Sequence, residues 1–193
     1  MIIMFIGPSS SGKDYFYNKV LEKYNLEPIV LYTTRPKRRG EVEGKEYHFI
    51  DKDTMDKLDS DNKLVERRDY DTAHGIWSYA TRGDDIDKNK TYLVINTWEG
   101  YIDYVNYFGK ESIYPFYFEL DQDIRFERAF LREKEQKYKK YMELCRRFIA
   151  DLEDFSKDKL NKYKPIIIDN SGSIENTMEQ IDLNIKKIIN KDS

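Results

Sequence analysis

The chain begins MIIMFIGPSSSGKD, Met1 to Asp14. Six apolar residues run straight into a loop bounded by Gly7 and Gly12, and the next stretch, Lys13–Tyr24, has the make-up of a helix. A buried strand, a glycine-bounded loop and a helix in that order form a phosphate-binding unit. Its pattern is G-x-x-x-x-G-K followed by a hydroxyl residue. Gly7 and Gly12 free the backbone to turn, so that the amides of Ser9, Ser10, Ser11 and Gly12 converge on phosphate oxygens at a helix N-terminus, and Lys13 adds a point charge. The eighth position departs from the pattern: Asp14 stands where Ser or Thr would hold magnesium.

Outward from that unit, short apolar runs alternate with longer amphipathic ones, which predicts a parallel sheet with crossover helices. Strands are expected at Ile2–Ile6, Pro28–Tyr32, Tyr92–Asn96, Tyr114–Leu120 and Pro165–Asp169. Helices are expected at Lys13–Tyr24, Glu99–Phe108, Asp123–Glu135, Tyr138–Lys162 and Ser173–Asn190. In the last, Ile174, Met178, Ile181, Ile185 and Ile188 make one apolar face, read as core packing. Thr33 to Lys90 breaks the rhythm with mixed runs and four glycines, and reads as a small inserted subdomain. The division is a core of residues 1–32 and 91–193, an insertion of residues 33–90, and a charge-dense stretch at about 132–145, read either as a solvated helix face or as a mobile lid.

The bulk properties set limits. At 193 residues the chain suits one domain. A net charge of -3 gives no reason to expect nucleic-acid binding, and no apolar run approaches the ~20 residues of a membrane span. One cysteine, Cys145, permits no internal disulfide and suits a reducing cytoplasm. Two histidines without partner cysteines or spaced acids, His74 among them, make no zinc site. Nothing speaks to oligomeric state.

The next stretch is TTRPKRRGEVEGKEYHF, Thr33 to Phe49. Arg35 and Arg38 lie three apart on a turn, placed to clamp one phosphate through paired, charge-assisted hydrogen bonds, with the Tyr47 hydroxyl able to join them. Here the chain resembles the guanylate kinases, which follow their loop with T-T-R-x-x-R-x-G-E-x-x-G-x-x-Y. Thr33, Thr34, Arg35, Arg38, Gly40, Glu41, Gly44 and Tyr47 fill that pattern without a gap. The resemblance implies a P-loop NTPase-type α/β fold, a small α+β subdomain for the nucleoside monophosphate, and a lid.

In the resembled family the arginines and tyrosine hold the phosphate of GMP. LVERRDYDTAHGIWSYAT resembles the segment that reads the base, with Glu66 as carboxylate and Tyr79, Ala80, Thr81 as the following tripeptide. A carboxylate matches the adjacent N1–H and N2–H₂ donors of guanine. The spacing from Glu66 to Tyr79 is about four residues long, so Asp69 and Asp71 are alternative readers. The family serine expected near Leu31 or Tyr32 is missing. So are the acids of Asp-x-Asp-x-x-Gly, where INTWEG places Ile95 and Thr97, with Asn96 between them and Glu99 nearby. In the distal half, Arg128 and Arg132 are one helical turn apart, and Arg146 precedes Glu153 by seven, with Arg147 as rival. By resemblance these arginines surround the transferring phosphoryl group. KPIIIDN resembles the strand that meets the adenine, which brings in Asn170.

The resemblance therefore implies ATP-dependent phosphorylation of GMP or dGMP. Lys13 and the loop amides bind ATP, and Asp14 holds Mg²⁺. Arg35, Arg38, Glu41, Tyr47 and Tyr79 serve the acceptor phosphate side, and Glu66 and Thr81 the guanine. A kinase for another nucleoside monophosphate and a binding module without turnover are the alternatives. An intact Gly7, Gly12 and Lys13 speak against the second.

Overall fold

The structure, a computed structural model, describes residues 1–72 and 75–190. His74 lies outside them. The core is a five-stranded sheet in the order β2 (Glu27–Pro28), β7 (Tyr92–Ile95), β1 (Ile2–Ile6), β8 (Ile113–Glu119), β9 (Ile166–Asp169), with every neighbouring pair parallel. Strand β1 is buried on both faces, and its alternation divides two cores. Ile2, Met4 and Ile6 join Trp98, Tyr101 and Tyr104 of α3 (Trp98–Phe108) on one side. Ile3 and Phe5 join Phe16 and Val20 of α1 (Lys13–Tyr24) and Ile181, Ile185 and Ile188 of α7 (Ile174–Ile189) on the other. Each such side chain contributes about 1.5–3 kcal/mol by leaving water. Ile174, expected on that apolar face, is 47% exposed in the first turn of α7.

A second sheet, β4 (His48–Phe49), β3 (Tyr32–Thr33), β6 (Gly75–Arg82), β5 (Leu64–Thr72), stands apart from the first. β5 and β6 form an antiparallel hairpin, and α2 (Lys52–Ser60) packs on it, N-capped by the Asp51 carboxylate accepting from Thr54 N–H at 2.7 Å. The two sheets correct one expectation. Pro28–Tyr32 is not a single strand: Glu27–Pro28 edges the first sheet, Tyr32–Thr33 belongs to the second, and Ile29–Leu31 connects them. Proline donates no hydrogen bond, which suits it to an edge strand.

A second correction concerns Tyr138–Lys162. It is two helices, α5 (Tyr141–Asp154) and α6 (Lys157–Tyr163), which follow α4 (Gln122–Lys134). The break falls where Phe155 turns inward against Trp98 and Tyr117, with ring centroids 6.4 and 5.8 Å away, and where Ser156 takes the extended backbone of a helix cap. Core burial of an aromatic ring there outweighs continuation of the helix.

Candidate active site

The phosphate loop rises from the end of β1. Gly12 has φ +88°, a left-handed conformation that sends the chain into α1, and a Cβ there would sit 2.5 Å from the Asn170 amide nitrogen. Asn170, expected beside the adenine, has a different job. Its amide donates to Ser11 O at 2.7 Å and accepts from the Thr177 hydroxyl at 3.1 Å, so it buttresses the loop from beneath. Lys13 donates to Pro8 O at 3.1 Å, and burial holds its pKa below the ordinary lysine value, against the opposing pull of the Asp14 and Asp151 charges. A desolvated lysine at a helix N-terminus is a site that gains by receiving an anion.

Two side chains fasten α4 and α5 to this loop, and the sequence pointed to neither. Arg125 on α4 is 3% exposed and donates from Nη1 to Ser9 O and to Asp151 Oδ2, both at 3.2 Å, with its guanidinium 4.7 Å from the Phe148 ring centroid. Asp151 on α5 accepts the Ser9 N–H at 2.8 Å through the same oxygen. Of the expected arginines, Arg132 donates to the Ser10 hydroxyl at 3.1 Å. Arg128 is exposed and makes no hydrogen bond or ion pair among the described residues. Arg146 is held within its own helix by Glu143 at 2.8 Å, while its rival Arg147 borders a small cavity with Ser9, Ser10 and Arg132.

The arginine hairpin is tied to β6 by its threonines. The Thr33 hydroxyl donates to Ser78 O at 2.9 Å and accepts Arg35 N–H at 3.1 Å, and Thr34 accepts Ser78 N–H at 2.8 Å. Arg35 is 4% exposed, lying 5.3 Å from the Tyr47 ring and 5.7 Å from that of Phe49. Glu41 is bound by protein: one oxygen accepts from Arg35 Nη2 and the other from Arg38 N–H, both at 2.7 Å. Its carboxylate, expected on the substrate, is instead the brace that sets the two arginines. The Arg35 bond, then the Arg38 amide, hold the Glu41 pKa below its usual value, and Glu41 in turn raises that of Arg35. Arg38 itself is exposed, and Tyr47 and Tyr79 meet edge to face at 5.6 Å.

Strand alternation sorts the candidate base readers. Glu66, Arg68 and Tyr70 share one face of β5 and lie opposite Thr81, Tyr79 and Trp77 of β6, while Asp69 and Asp71 point the other way. Asp69 pairs with Arg67 at 3.0 Å, and Arg67 also binds Asp56 and Asp59 of α2. Glu66 is buried, its side chain 1% exposed. Its Oε1 accepts from Asn96 Nδ2 at 2.9 Å, from the Thr81 hydroxyl at 3.3 Å and from Arg68 Nη2 at 3.3 Å. Its Oε2 is buried without a hydrogen-bond partner. Thr81 also bonds the Tyr104 hydroxyl at 2.9 Å, and burial, then the Glu66 charge, push the Tyr104 pKa up. Thr81 therefore sits under the carboxylate with its hydroxyl already engaged.

A cleft of about 250 Å³ is lined by Gly7, Ser9 and Lys13 from the loop, by Asn96 and Thr97 from the end of β7 and the start of α3, and by Arg68 from the insertion. A wider one of about 420 Å³ opens between Leu31, Tyr47, Arg68, Tyr70, Trp77 and Tyr79. Asn96, at the position between the missing acids, binds Glu66 and accepts the Thr97 N–H at 2.8 Å, and Thr97 caps α3. Asp14 is exposed in the first turn of α1, and its carboxylate accepts no hydrogen bond among the described residues. No group of three or more metal-ligating side chains occurs among those residues, and none of their helices is long and apolar enough to cross a membrane.

The guanylate kinase family model matches residues 1–92, the stretch holding the loop, the arginine hairpin and the β5–β6 hairpin. The guanylate kinase of Anaplasma phagocytophilum is 33% identical over 103 residues, 52% of this chain and 49% of that protein. That of Zymomonas mobilis is 32% identical over 102 residues, 52% of this chain and 47% of that protein. In these matches the chain spans about half the length of the curated relatives. The crystal structure of the Anaplasma guanylate kinase superposes with a TM-score of 0.60 at 22% identity, over 98% of this chain and 85% of that one, which establishes the likeness of fold beyond the matched sequence. Over its first 92 residues the chain is thus similar in sequence to the guanylate kinases, and over nearly all of its length it shares the fold of one.

Proposed function

We propose that the chain transfers the γ-phosphoryl group of ATP to the phosphate of GMP or dGMP, giving ADP and the nucleoside diphosphate. The observation that supports this best is a pair of anion sites at two clefts that share Arg68: the loop with Lys13 lines one, and Tyr47 and Tyr79, beside Arg35 braced by Glu41, line the other. Phosphoryl transfer asks the protein for alignment and charge stabilisation. An oxygen of the acceptor phosphate bonds to the γ-phosphorus as the bond to the β–γ bridging oxygen breaks. The acceptor is already an anion, so no general base is needed. Lys13 and the loop amides take the charge that gathers on the donor phosphates. Arg35, Arg38 and the two tyrosines hold the acceptor in line, and Arg132 lies against the loop from the lid. Closure there excludes water.

The donor set fits Mg²⁺. A single free carboxylate at the loop suits an ion that takes one or two protein carboxylates and completes its shell with phosphates and water. Asp14 is the residue that would hold it, and the bound ion supplies neutralisation of the β- and γ-phosphate charge. No nucleic acid or membrane enters this reading, and the exposed Cys145 thiol suits a reducing cytoplasm. The test is a panel of GMP, dGMP, AMP, CMP and UMP with ATP and magnesium, read as ADP formation. Preference for a guanine acceptor supports the reading. Equal turnover of all five, or none, refutes it.

A further inference from the structure

We infer that Arg68, oriented by Glu66, is the side chain that reads the acceptor base. The inference rests on the nucleoside-monophosphate kinase reading and deepens it.

The starting point is the accessibility of Glu66. A carboxylate that accepts from guanine N1–H and N2–H₂ must face the base. This one is 1% exposed, and it does not line the acceptor cleft; Arg68 does. Arg68 Nη2 lies 3.3 Å from both Glu66 oxygens, with hydrogen-bond geometry toward Oε1 alone, while Asn96 and Thr81 hold Oε1 from behind. Glu66 is thus anchored by the core and overlaid by a guanidinium.

The guanidinium has spare donors. Among the described residues its Nη1 makes no hydrogen bond, and its Nε–H, like Glu66 Oε2, is buried without a hydrogen-bond partner. The side chain is 29% exposed and borders both clefts, with Tyr70 and Trp77 forming the aromatic walls next to it. Its charge is largely neutralised by Glu66, so it offers directed donors more than net charge, and the acceptor phosphate already has Arg35, Arg38, Tyr47 and Tyr79. What remains for it is a base edge carrying acceptors.

Guanine presents two adjacent acceptors, O6 and N7, which a guanidinium meets as a fork. Adenine offers N7 beside an N6 amino donor, so one guanidinium N–H would face another donor. Arg68 therefore selects a 6-oxopurine. It also answers the missing serine near Leu31, since a donor now comes from β5 instead of from the chain before β3. Glu66 is the positioning residue that fixes the plane of the fork.

This assignment differs from the carboxylate reading in a way that substrates can report. IMP keeps O6 and N7 and lacks the 2-amino group. With Arg68 reading, IMP and GMP have similar kcat/KM and both exceed AMP. With Glu66 reading, IMP falls well below GMP. Arg68→Ala should then lower the GMP:AMP ratio of kcat/KM by roughly 5- to 150-fold, the range for one bidentate base contact. Arg68→Lys, which keeps the charge and loses the fork, should lower the ratio too. Glu66→Gln should lower it less, with the KM for ATP unchanged in all three and circular dichroism confirming that each is folded. IMP rejected by the wild type, or a GMP:AMP ratio kept or raised in Arg68→Ala because Glu66 is uncovered, overturns the Arg68 assignment and leaves the kinase reading intact. Absence of any guanine preference in the wild type removes the kinase reading itself, and the assignment with it.

Discussion

Replacing Arg125 with alanine should cost more stability than any other single arginine loss in α4 or α5. In the fold it joins three pieces of chain: α4, which carries it, Ser9 of the phosphate loop, and Asp151 of α5. The pair is sequestered, with side chains 3% and 12% exposed. Alanine leaves Asp151 in that place without its countercharge and Ser9 O without its donor. Breaking such a pair from one side costs about 3–5 kcal/mol. For a chain of this size each kcal/mol moves Tm by about 2–4 °C, so the midpoint should fall by roughly 6–20 °C. Arg128→Ala is the control on the same helix. It removes an exposed side chain without a partner among the described residues, and should stay within about 0.5 kcal/mol. Scanning calorimetry and urea unfolding measure both. Asp151→Asn completes a double-mutant cycle, in which the double variant should lose less than the sum of the singles, by about 0.5–3 kcal/mol. A cost below 1 kcal/mol for Arg125→Ala, or additivity in the cycle, would refute the account of how α4 and α5 are fastened to the loop.

Arg38→Ala should raise the KM for GMP and lower kcat by roughly 10- to 150-fold together, the worth of one charge-assisted phosphate contact, with ATP binding unchanged. Wild-type kinetics would detach the hairpin from the acceptor. Asp14→Asn should bind metal-free ATP at least as well as the wild type and turn over more slowly with magnesium; full magnesium-dependent turnover would show that Asp14 is no ligand. The acid limb of GMP binding should depend on Glu41. Because its folded pKa is depressed, its brace on Arg35 and Arg38 is fully present above the ordinary carboxylate pKa and is lost as pH falls through the folded value. Measured against pH, the KM for GMP should show an acid step in the wild type that Glu41→Gln lacks, and identical profiles would contradict it.

The parallel core was readable from residue order because strand, loop and helix periods are local properties. β1 and α1 fall where Ile2–Ile6 and Lys13–Tyr24 predicted them, and β7, β8 and β9 shift by a residue at most, while the expected Pro28–Tyr32 strand divides between the two sheets. The insertion was read only as a subdomain. The β5–β6 hairpin carries Glu, Arg and Asp on a strand, so charge masks its alternation. At the site, Arg35 and Lys13 announce themselves through motifs. Arg125 and Asp151 do not, because they are 26 residues apart and only packing of α4 on α5 brings them together. Helical spacing put Arg125 on the same face as Arg128 and Arg132, yet period alone cannot say which of three arginines turns inward. The β5 alternation could have found Arg68: once Glu66 is placed on the acceptor face, the residue two further on must share it.

The long insertion leaves and rejoins the core sheet at neighbouring points. Glu27 and Pro28 pair with Tyr92 and Leu93, and Glu27 N–H bonds Thr91 O at 3.1 Å. The excursion is thus stitched shut at its base, in the manner of a loop whose ends meet before its contents are decided. Closing such a loop costs free energy that grows only with the logarithm of its length. Residues gained or lost at the far tip of the β5–β6 hairpin leave that stitch untouched. A chain built so can lengthen or exchange its acceptor half while the half that binds the phosphoryl donor stays as it is, and the extra residues between Glu66 and Tyr79 are the kind of change this arrangement tolerates.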